Sequence, residues 1–380
     1  MKKRRKLDTK ITIIGAGVIG LATAAEVSKH FENVFVVERN SKYGQETSSR
    51  NSEVIHSGIY YPTNSLKATL CVKGNKMLYE FCEKKEISHF KCGKLVVATN
   101  IEEEKILQKV LNQSITNGVS DGSCLTKKQA GEIEPEIYCT AALYFPSTGI
   151  IDTHGLMKEL ENNALNNNVS FAYNSEVVKI EKMFNGYAIT VYDGIESFTF
   201  TSEYVVNSAG LEADKIAELS GTYEPYYQIH YWKGDYFAVG NGKNKKIKHL
   251  IYPVPQSNTV GLGVHATIDL NNGMKLGPDS TYLATGKIDY SVDKAKKSEF
   301  YQAALKYLPF LELEDLHPDQ SGIRPKLQKP GDPTRDFIIK NEAEKGHPNF
   351  INLIGIESPG LTSCLAIAKY VGAMIRGVAE

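Results

Sequence analysis

The 380-residue chain has no net charge, with 44 Lys and Arg against 44 Asp and Glu. That balance excludes the whole-chain basic footprint of a nucleic-acid binder. No stretch approaches 18 uninterrupted apolar residues, so no membrane-spanning helix is expected. The cysteines Cys71, Cys82, Cys92, Cys124, Cys139 and Cys364 form no CxxC pair and no Cys–His spacing suited to zinc. No metal site is therefore expected, and in a chain of this size the thiols read as reduced, in a cytoplasmic protein. Arginine is scarce, at positions 4, 5, 39, 50, 324, 335 and 376 only, so each interior one invites a reason. No internal repeat and no low-complexity linker is present. What remains is an ordinary globular composition, 42% hydrophobic and 23% charged, which excludes global disorder. The length suggests two or three domains, or one discontinuous pair.

The start of the chain has two readings. Lys2-Lys3-Arg4-Arg5-Lys6 followed by the apolar, then small residues from Ile11 to Ala22 mimics a signal peptide. The competing reading is a buried first strand entering a glycine-rich turn, and the glycine spacing supports it. The basic leader is then a solvated tail, with weak attraction to an anionic membrane surface as a minor alternative.

Residues 10–14 are a β-rich run leading into Gly15-Ala16-Gly17-Val18-Ile19-Gly20, a helical stretch, a second buried strand at 34–37, and Glu38. Each part has a mechanical reason. Gly15 permits the tight turn, Gly17 lets backbone approach a pyrophosphate, and Gly20 lets helix and strand pack closely. The helix start, with Val18 and Ile19, offers free N–H groups and a positive dipole end to phosphates. Glu38 suits a ribose diol and repels a 2′-phosphate, so FAD or NAD fits better than NADP. A lone GxGxxG is weak, but strand, glycines, helix, strand and acid in this order are specific. Arg39 and the polar stretch Gly44-Gln45-Glu46-Thr47-Ser48-Ser49-Arg50-Asn51-Ser52 follow. They suit either a phosphate or flavin edge or a plain capping loop.

These segments, with residues 53–62, strongly resemble the D-amino-acid-oxidase-like FAD superfamily. So do Tyr252-Pro253-Val254-Pro255, Leu262-Gly263-Val264-His265, Gly322-Ile323-Arg324-Pro325-Lys326-Leu327 and Gly355-Ile356-Glu357-Ser358-Pro359-Gly360-Leu361-Thr362. Within that superfamily the chain is most similar to L-2-hydroxyglutarate dehydrogenases and oxidases, from about residue 10 to 375. The resemblance implies FAD as cofactor, held by Gly15, Gly17, Val18, Ile19, Gly20, Glu38, Arg39, Thr47, Ser48, Ser49 and Arg50. It also implies contacts from Val177, on a strand beside the adenine, from the small-residue turn at Ala209 and Gly210, and from Pro359, Gly360, Leu361 and Thr362, where the last helix opens. Cys364 reads as a packing residue in that helix and not as a flavin thioether.

Strands alternating with helices at both ends suggest a parallel sheet interrupted by a second domain. The expected fold is α/β. A Rossmann-like FAD-binding domain spans 1–85, 146–222 and 321–380, and a discontinuous α+β substrate domain on a mixed sheet spans 86–145 and 223–320. Helices are expected near 67–84, 102–112, 152–166 and 299–307, and strands near 198–201, 204–207 and 350–354.

Four groups of residues suit the chemistry. A lone histidine is more often structural than catalytic, but His56 follows the polar loop, and the resemblance aims His265 at the substrate; either serves as general base. Arg324, between Ile323 and Pro325, is costly to bury without a partner, and its planar guanidinium matches a carboxylate in bidentate fashion. Lys326 either assists it or faces solvent. Tyr61 and Tyr252 rank as further substrate contacts, with Tyr60 and Lys233 behind them. At Lys233 the resembled pattern more often carries arginine, which puts a second carboxylate anchor in doubt.

The expected reaction is oxidation of a 2-hydroxy acid, L-2-hydroxyglutarate before others, with electrons passing to a quinone or oxygen. The alternatives are oxidation of an amino acid or secondary amine, oxidation of glycerol 3-phosphate, and a non-redox flavoprotein scaffold. No nucleic acid is expected as partner, and the location is cytoplasmic, with at most peripheral contact at the inner face of the membrane.

Overall fold

The computed structural model describes residues 7–255 and 263–378. The basic leader at 2–6 and Leu262 lie outside them. The elements that matter here are, in chain order, β1 (Thr9–Ile14), α1 (Val18–Val27), β2 (Val34–Val37), α2 (Leu66–Lys84), β3 (Lys94–Ala98), β4 (Ser197–Asn207), β5 (His230–Val239), β6 (Leu250–Pro253), β7 (Leu316–Lys326), β8 (Phe350–Ile354) and α3 (Gly360–Arg376).

Four of these strands form the parallel centre of an eight-stranded sheet in the order β2-β1-β4-β8. Ile11, Ile13, Val34, Val36, Val206 and Ile351 are buried there, the near-continuous apolar pattern of strands covered on both faces. α1 packs against α3 and against the helix Thr153–Asn166, whose N-cap Asp152 accepts a hydrogen bond from Gly155 N–H. The register sets Ile14 beside Val37 and Asn207, and Asn207 beside Asn352. The carboxyl ends of all four strands therefore open along one edge, where ligands bind in such sheets.

The sequence suggests two short strands at 198–201 and 204–207. The structure joins them into the single strand β4, which changes partner at Ser202: its first half pairs antiparallel with Gly186–Tyr192 and its second half runs between β1 and β8. The helix expected near 67–84 forms as Leu66–Lys84, and the one expected near 102–112 runs further, from Ile101 to Thr116. In both, a capping side chain, Asn100 or Ser65, sets the start.

A nine-stranded second sheet contains β3, β5, β6 and β7. It is mixed: β3 and β6 run parallel, while β5 and β7 pair antiparallel. A small three-stranded sheet of Val54–Ile55, His89–Phe90 and Gly149–Ile151 completes the pairing. The whole is α/β with a mixed second sheet. We propose the domain division given above for these two sheets; one strand, β7, crosses its line at 321, since β7 pairs with β5 from Leu316 to Lys326.

All six cysteines are free. Among the described residues no helix is long and apolar enough to cross a membrane, and no cluster of His, Cys, Asp and Glu suits a metal ion.

Candidate active site

A cavity of about 720 Å³ runs along the open edge of the first sheet and under the second. Its floor at one end is the glycine turn. Gly15 has φ +98°, and a Cβ there would stand 2.7 Å from the Ser208 carbonyl oxygen. A side chain on Gly20 would strike the Gly15 carbonyl, so Gly20 serves the packing of α1 on β1 and lies off the cavity wall. Gly17, Val18 and Ile19 form the wall, and Ser48 Oγ accepts from Val18 N–H at 3.0 Å.

Glu38, 8% exposed, ends β2 at this floor. Ala16 N–H donates to its Oε2 (2.7 Å), and Asn40 donates to its Oε1 through the backbone (2.8 Å) and the side chain (2.9 Å). The carboxylate is thereby fixed at the cavity with one acceptor site, on Oε2, to spare. Arg39 forks onto Glu46. Thr47 Oγ1 donates to the Ile323 carbonyl of β7, tying the polar loop to the second sheet. Arg50 lies with its guanidinium 4.0 Å from the Tyr290 ring centroid. Val177, Ala209 and Gly210 form the opposite wall, and Pro359, Gly360 and Leu361 bring the start of α3 to the cavity. Ser49 and Thr362 stand behind the wall; Thr362 Oγ1 accepts His56 N–H at 2.9 Å.

This arrangement fits FAD. Two glycines leave a side-chain-free floor at a helix N-terminus, an anchored acid stands at the end of β2, and the trough continues to a second helix N-terminus at α3. Replacing Glu38 by Ala is expected to weaken FAD retention by about tenfold to a hundredfold, the range for a hydrogen bond to a charged group. Fluorescence titration of the apoprotein with FAD checks it, and unchanged affinity would remove Glu38 from the cofactor site.

The far end of the cavity is a chamber walled by His56, Tyr236, Tyr252, His265, Arg324, Glu357 and Ser358. The Tyr252 and His265 rings stack with centroids 3.7 Å apart and planes 8° apart. His56 Nε2 lies 3.5 Å from Ser358 Oγ. Burial first, and then the charges of Lys94 and Arg324, lower the His56 imidazolium to about 3, so the ring is neutral across working pH. Burial raises the Tyr61 phenol well above its ordinary value, partly offset by a hydrogen bond with Ser358; Tyr61 stands behind the wall. Arg324 is 33% exposed, and its Nη1 reaches Glu357 only at 4.0 Å. Lys326, two residues along the same strand, is 3% exposed with Nζ 5.0 Å from the Trp232 ring centroid. The period of two keeps both on one face of β7, yet only Arg324 reaches the chamber. Burial lowers Lys326 to about 8. Lys233, held by the Ser291 carbonyl, also lies off the wall. Cys364 is fully buried, and burial raises its thiol to about 12.

Two charged residues here were not singled out from sequence. Glu357 lies inside a quoted motif without a role, and Lys94 opens the apolar run of β3. Lys94 is 1% exposed, between the Tyr60 ring (4.8 Å) and the Tyr252 ring (4.9 Å). No carboxylate pairs with it among the described residues. Burial lowers it to about 7, against about 10.4 for an ordinary lysine. The unfolded chain thus binds more protons between pH 7 and 10, and this group's cost falls as pH rises through that window. Lys94→Met is expected to stabilise the protein by roughly 1–4 kcal/mol at pH 7, with the gain fading toward pH 10. Urea unfolding at the two pH values checks this; a less stable variant at pH 7 would mean the two rings fully compensate the charge.

The family described as FAD dependent oxidoreductase (DAO) matches residues 10–374. The mitochondrial L-2-hydroxyglutarate dehydrogenase of Arabidopsis thaliana is 39% identical, over 97% of this chain and 83% of its own length. The glycerol 3-phosphate dehydrogenase of Caloramator mitchellensis is 33% identical, over 97% and 74%. Among solved structures, the L-alpha-glycerophosphate oxidase of Mycoplasma pneumoniae with FAD bound superposes with a TM-score of 0.86 at 27% identity, covering 97% of this chain and 94% of that one.

Proposed function

We propose, from the premise that this chain belongs to the DAO family of FAD-dependent oxidoreductases, that it oxidises L-2-hydroxyglutarate to 2-oxoglutarate. That it is an FAD-dependent dehydrogenase follows from the family and its curated relatives; the substrate is our reading. The observation that carries it is Arg324, a guanidinium on the chamber wall whose nearest carboxylate is 4.0 Å away and already paired elsewhere. A planar fork left open on a cavity wall is a receptor for a carboxylate.

FAD, when bound, supplies the acceptor for the hydride from substrate C2. The protein's part is to bind, orient and deprotonate. Arg324 takes the C1 carboxylate and fixes the position of C2. His56, neutral at Nε2, accepts the hydroxyl proton, with His265 as the second candidate. Tyr252, stacked on His265, walls the chamber against water, while Tyr61 and Lys326 support it from behind. Glu38, the glycine turn, Arg39 and the loop from Thr47 to Arg50 hold the adenosine and pyrophosphate, with Val177, Ala209 and Gly210 opposite. The head of α3 from Pro359 to Thr362 would present its positive dipole end to a bound flavin and would favour negative charge there. Electrons pass onward to a quinone or oxygen. A cytoplasmic location, with at most peripheral contact at the inner membrane face, completes the reading.

The glycerol 3-phosphate relatives favour a second reading, in which Arg324 takes a phosphate. Anaerobic flavin bleaching with a panel of hydroxy acids, amino acids and glycerol 3-phosphate separates the two. L-2-hydroxyglutarate is expected to bleach fastest. Bleaching by glycerol 3-phosphate with no response to L-2-hydroxyglutarate would overturn the proposal.

A further inference from the structure

Lys67 lies in the first turn of α2, and the backbone N–H groups of Leu66 and Lys67 both donate to Asp336, at 2.6 and 2.9 Å. Its side chain is 4% exposed and runs inward to Glu357 Oε1 at 2.9 Å, with Nζ 5.3 Å from the Phe337 ring centroid. Glu357 is 6% exposed, and its other oxygen faces Arg324 Nη1 at 4.0 Å. One buried carboxylate thus stands among three cations, Lys67, Lys326 and Arg324. It touches Lys67 and leaves Arg324 at the limit of pairing. A buried carboxylate without a cation is costly, so whichever cation remains will be drawn to it.

We propose that Lys67 is a positioning residue for substrate capture: by holding Glu357 it keeps the Arg324 guanidinium open to the carboxylate of the substrate. The inference rests on Arg324 as the anchor proposed above. Without the Lys67 ammonium, Glu357 closes the gap and takes the guanidinium, and the substrate has to displace an internal carboxylate before it binds. Lys67 therefore acts on affinity and not on the chemical step.

The test uses FAD-loaded holoenzyme and anaerobic flavin reduction by L-2-hydroxyglutarate, read as half-saturating concentration and saturating rate. Lys67→Met is expected to raise the half-saturating concentration about tenfold or more, the scale of a charged hydrogen bond, with little change in saturating rate. Lys67→Arg keeps the pairing and stays near wild type. The double variant Lys67→Met/Glu357→Gln removes the competing carboxylate and recovers most of the affinity. Should Lys67→Met not fold, Glu357→Gln alone decides: it is expected to bind the acid at least as tightly as wild type. Wild-type affinity in Lys67→Met, equal weakness of the single and double variants, or loss of affinity in Glu357→Gln with flavin retained would each overturn the inference. Arg324→Ala, run in parallel, separates the two levels. Unchanged affinity there overturns the anchor and this inference with it, whereas lost affinity there without the Lys67 pattern overturns this inference alone.

Discussion

Anaerobic bleaching of the flavin by L-2-hydroxyglutarate should slow by about 10²–10⁴-fold when His56 is replaced by alanine, the usual contribution of a positioned general base. The group is neutral and so free to accept a proton, and the burial and charges that keep it neutral also make it a weaker base than an ordinary histidine. Burial, Lys94 and Arg324 hold its imidazolium down to about 3, so no proton has to leave it before catalysis. The efficiency of flavin reduction, which reports the free enzyme, should therefore stay flat from pH 8 to about pH 5, where an ordinary histidine would already be protonated. The saturating rate should fall at higher pH than that, since a carboxylate bound at Arg324 cancels one of the two depressing charges. Stability follows the same shift. The folded value lies below the unfolded one, so the neutral ring's contribution is present above about pH 6.5 and is lost as pH falls toward 3. Slow bleaching in His265→Ala with normal bleaching in His56→Ala would move the base to the ring stacked on Tyr252. Normal rates in both would remove histidine from the mechanism.

Arg324→Ala should weaken capture of L-2-hydroxyglutarate by about tenfold to more than a hundredfold, the equivalent of roughly 1.5–3 kcal/mol for hydrogen bonds to a charged group. Arg324→Lys keeps the charge and loses the fork, so it should recover only part of that. FAD content should stay normal in both, because the residues proposed to hold the cofactor, the turn at Gly15, Glu38 and the head of α3, do not include it. Concentration dependence of the bleaching rate measures the loss. A variant that sheds flavin, while its remaining holoenzyme keeps wild-type affinity, would make Arg324 a structural partner of Glu357.

The parts of this site that were legible in the sequence are those whose meaning is local. Gly15 to Gly20 and Glu38 lie within one βαβ unit, so their spacing alone fixes a turn, a helix start and an acid at the next strand end. Asp152 caps its helix three residues away. The far wall was reached by resemblance, because nothing in Val177 or Ala209 marks it as a neighbour of Gly15. Lys94, Lys67 and Glu357 were not legible at all. Each is an unremarkable charge in its own segment and acquires its role only where α2, β3, β7 and the loop before α3 converge. Lys326 shows the converse. The alternation along β7 gives it the face of Arg324, but depth along the strand, which alternation does not encode, puts it under Trp232.

The order of β1, β4 and β8 in the first sheet also has a consequence for biosynthesis. β1 can pair with β2 as soon as both leave the ribosome, but its other neighbour, β4, begins only at Ser197, and β8 follows at Phe350. The trough proposed for FAD likewise has one lip at Gly15 to Ile19 and another at Ser358 to Leu361, about 340 residues later in the chain. At roughly 5–20 residues per second that interval is on the order of 20–70 s of translation. Through all of it the trough lacks the head of α3, although the wall at Val177, Ala209 and Gly210 is already made partway through. FAD is therefore expected to load only once the segment at Ser358 to Leu361 has been made, so a scarcity of free flavin should act late in the life of the nascent chain and not early.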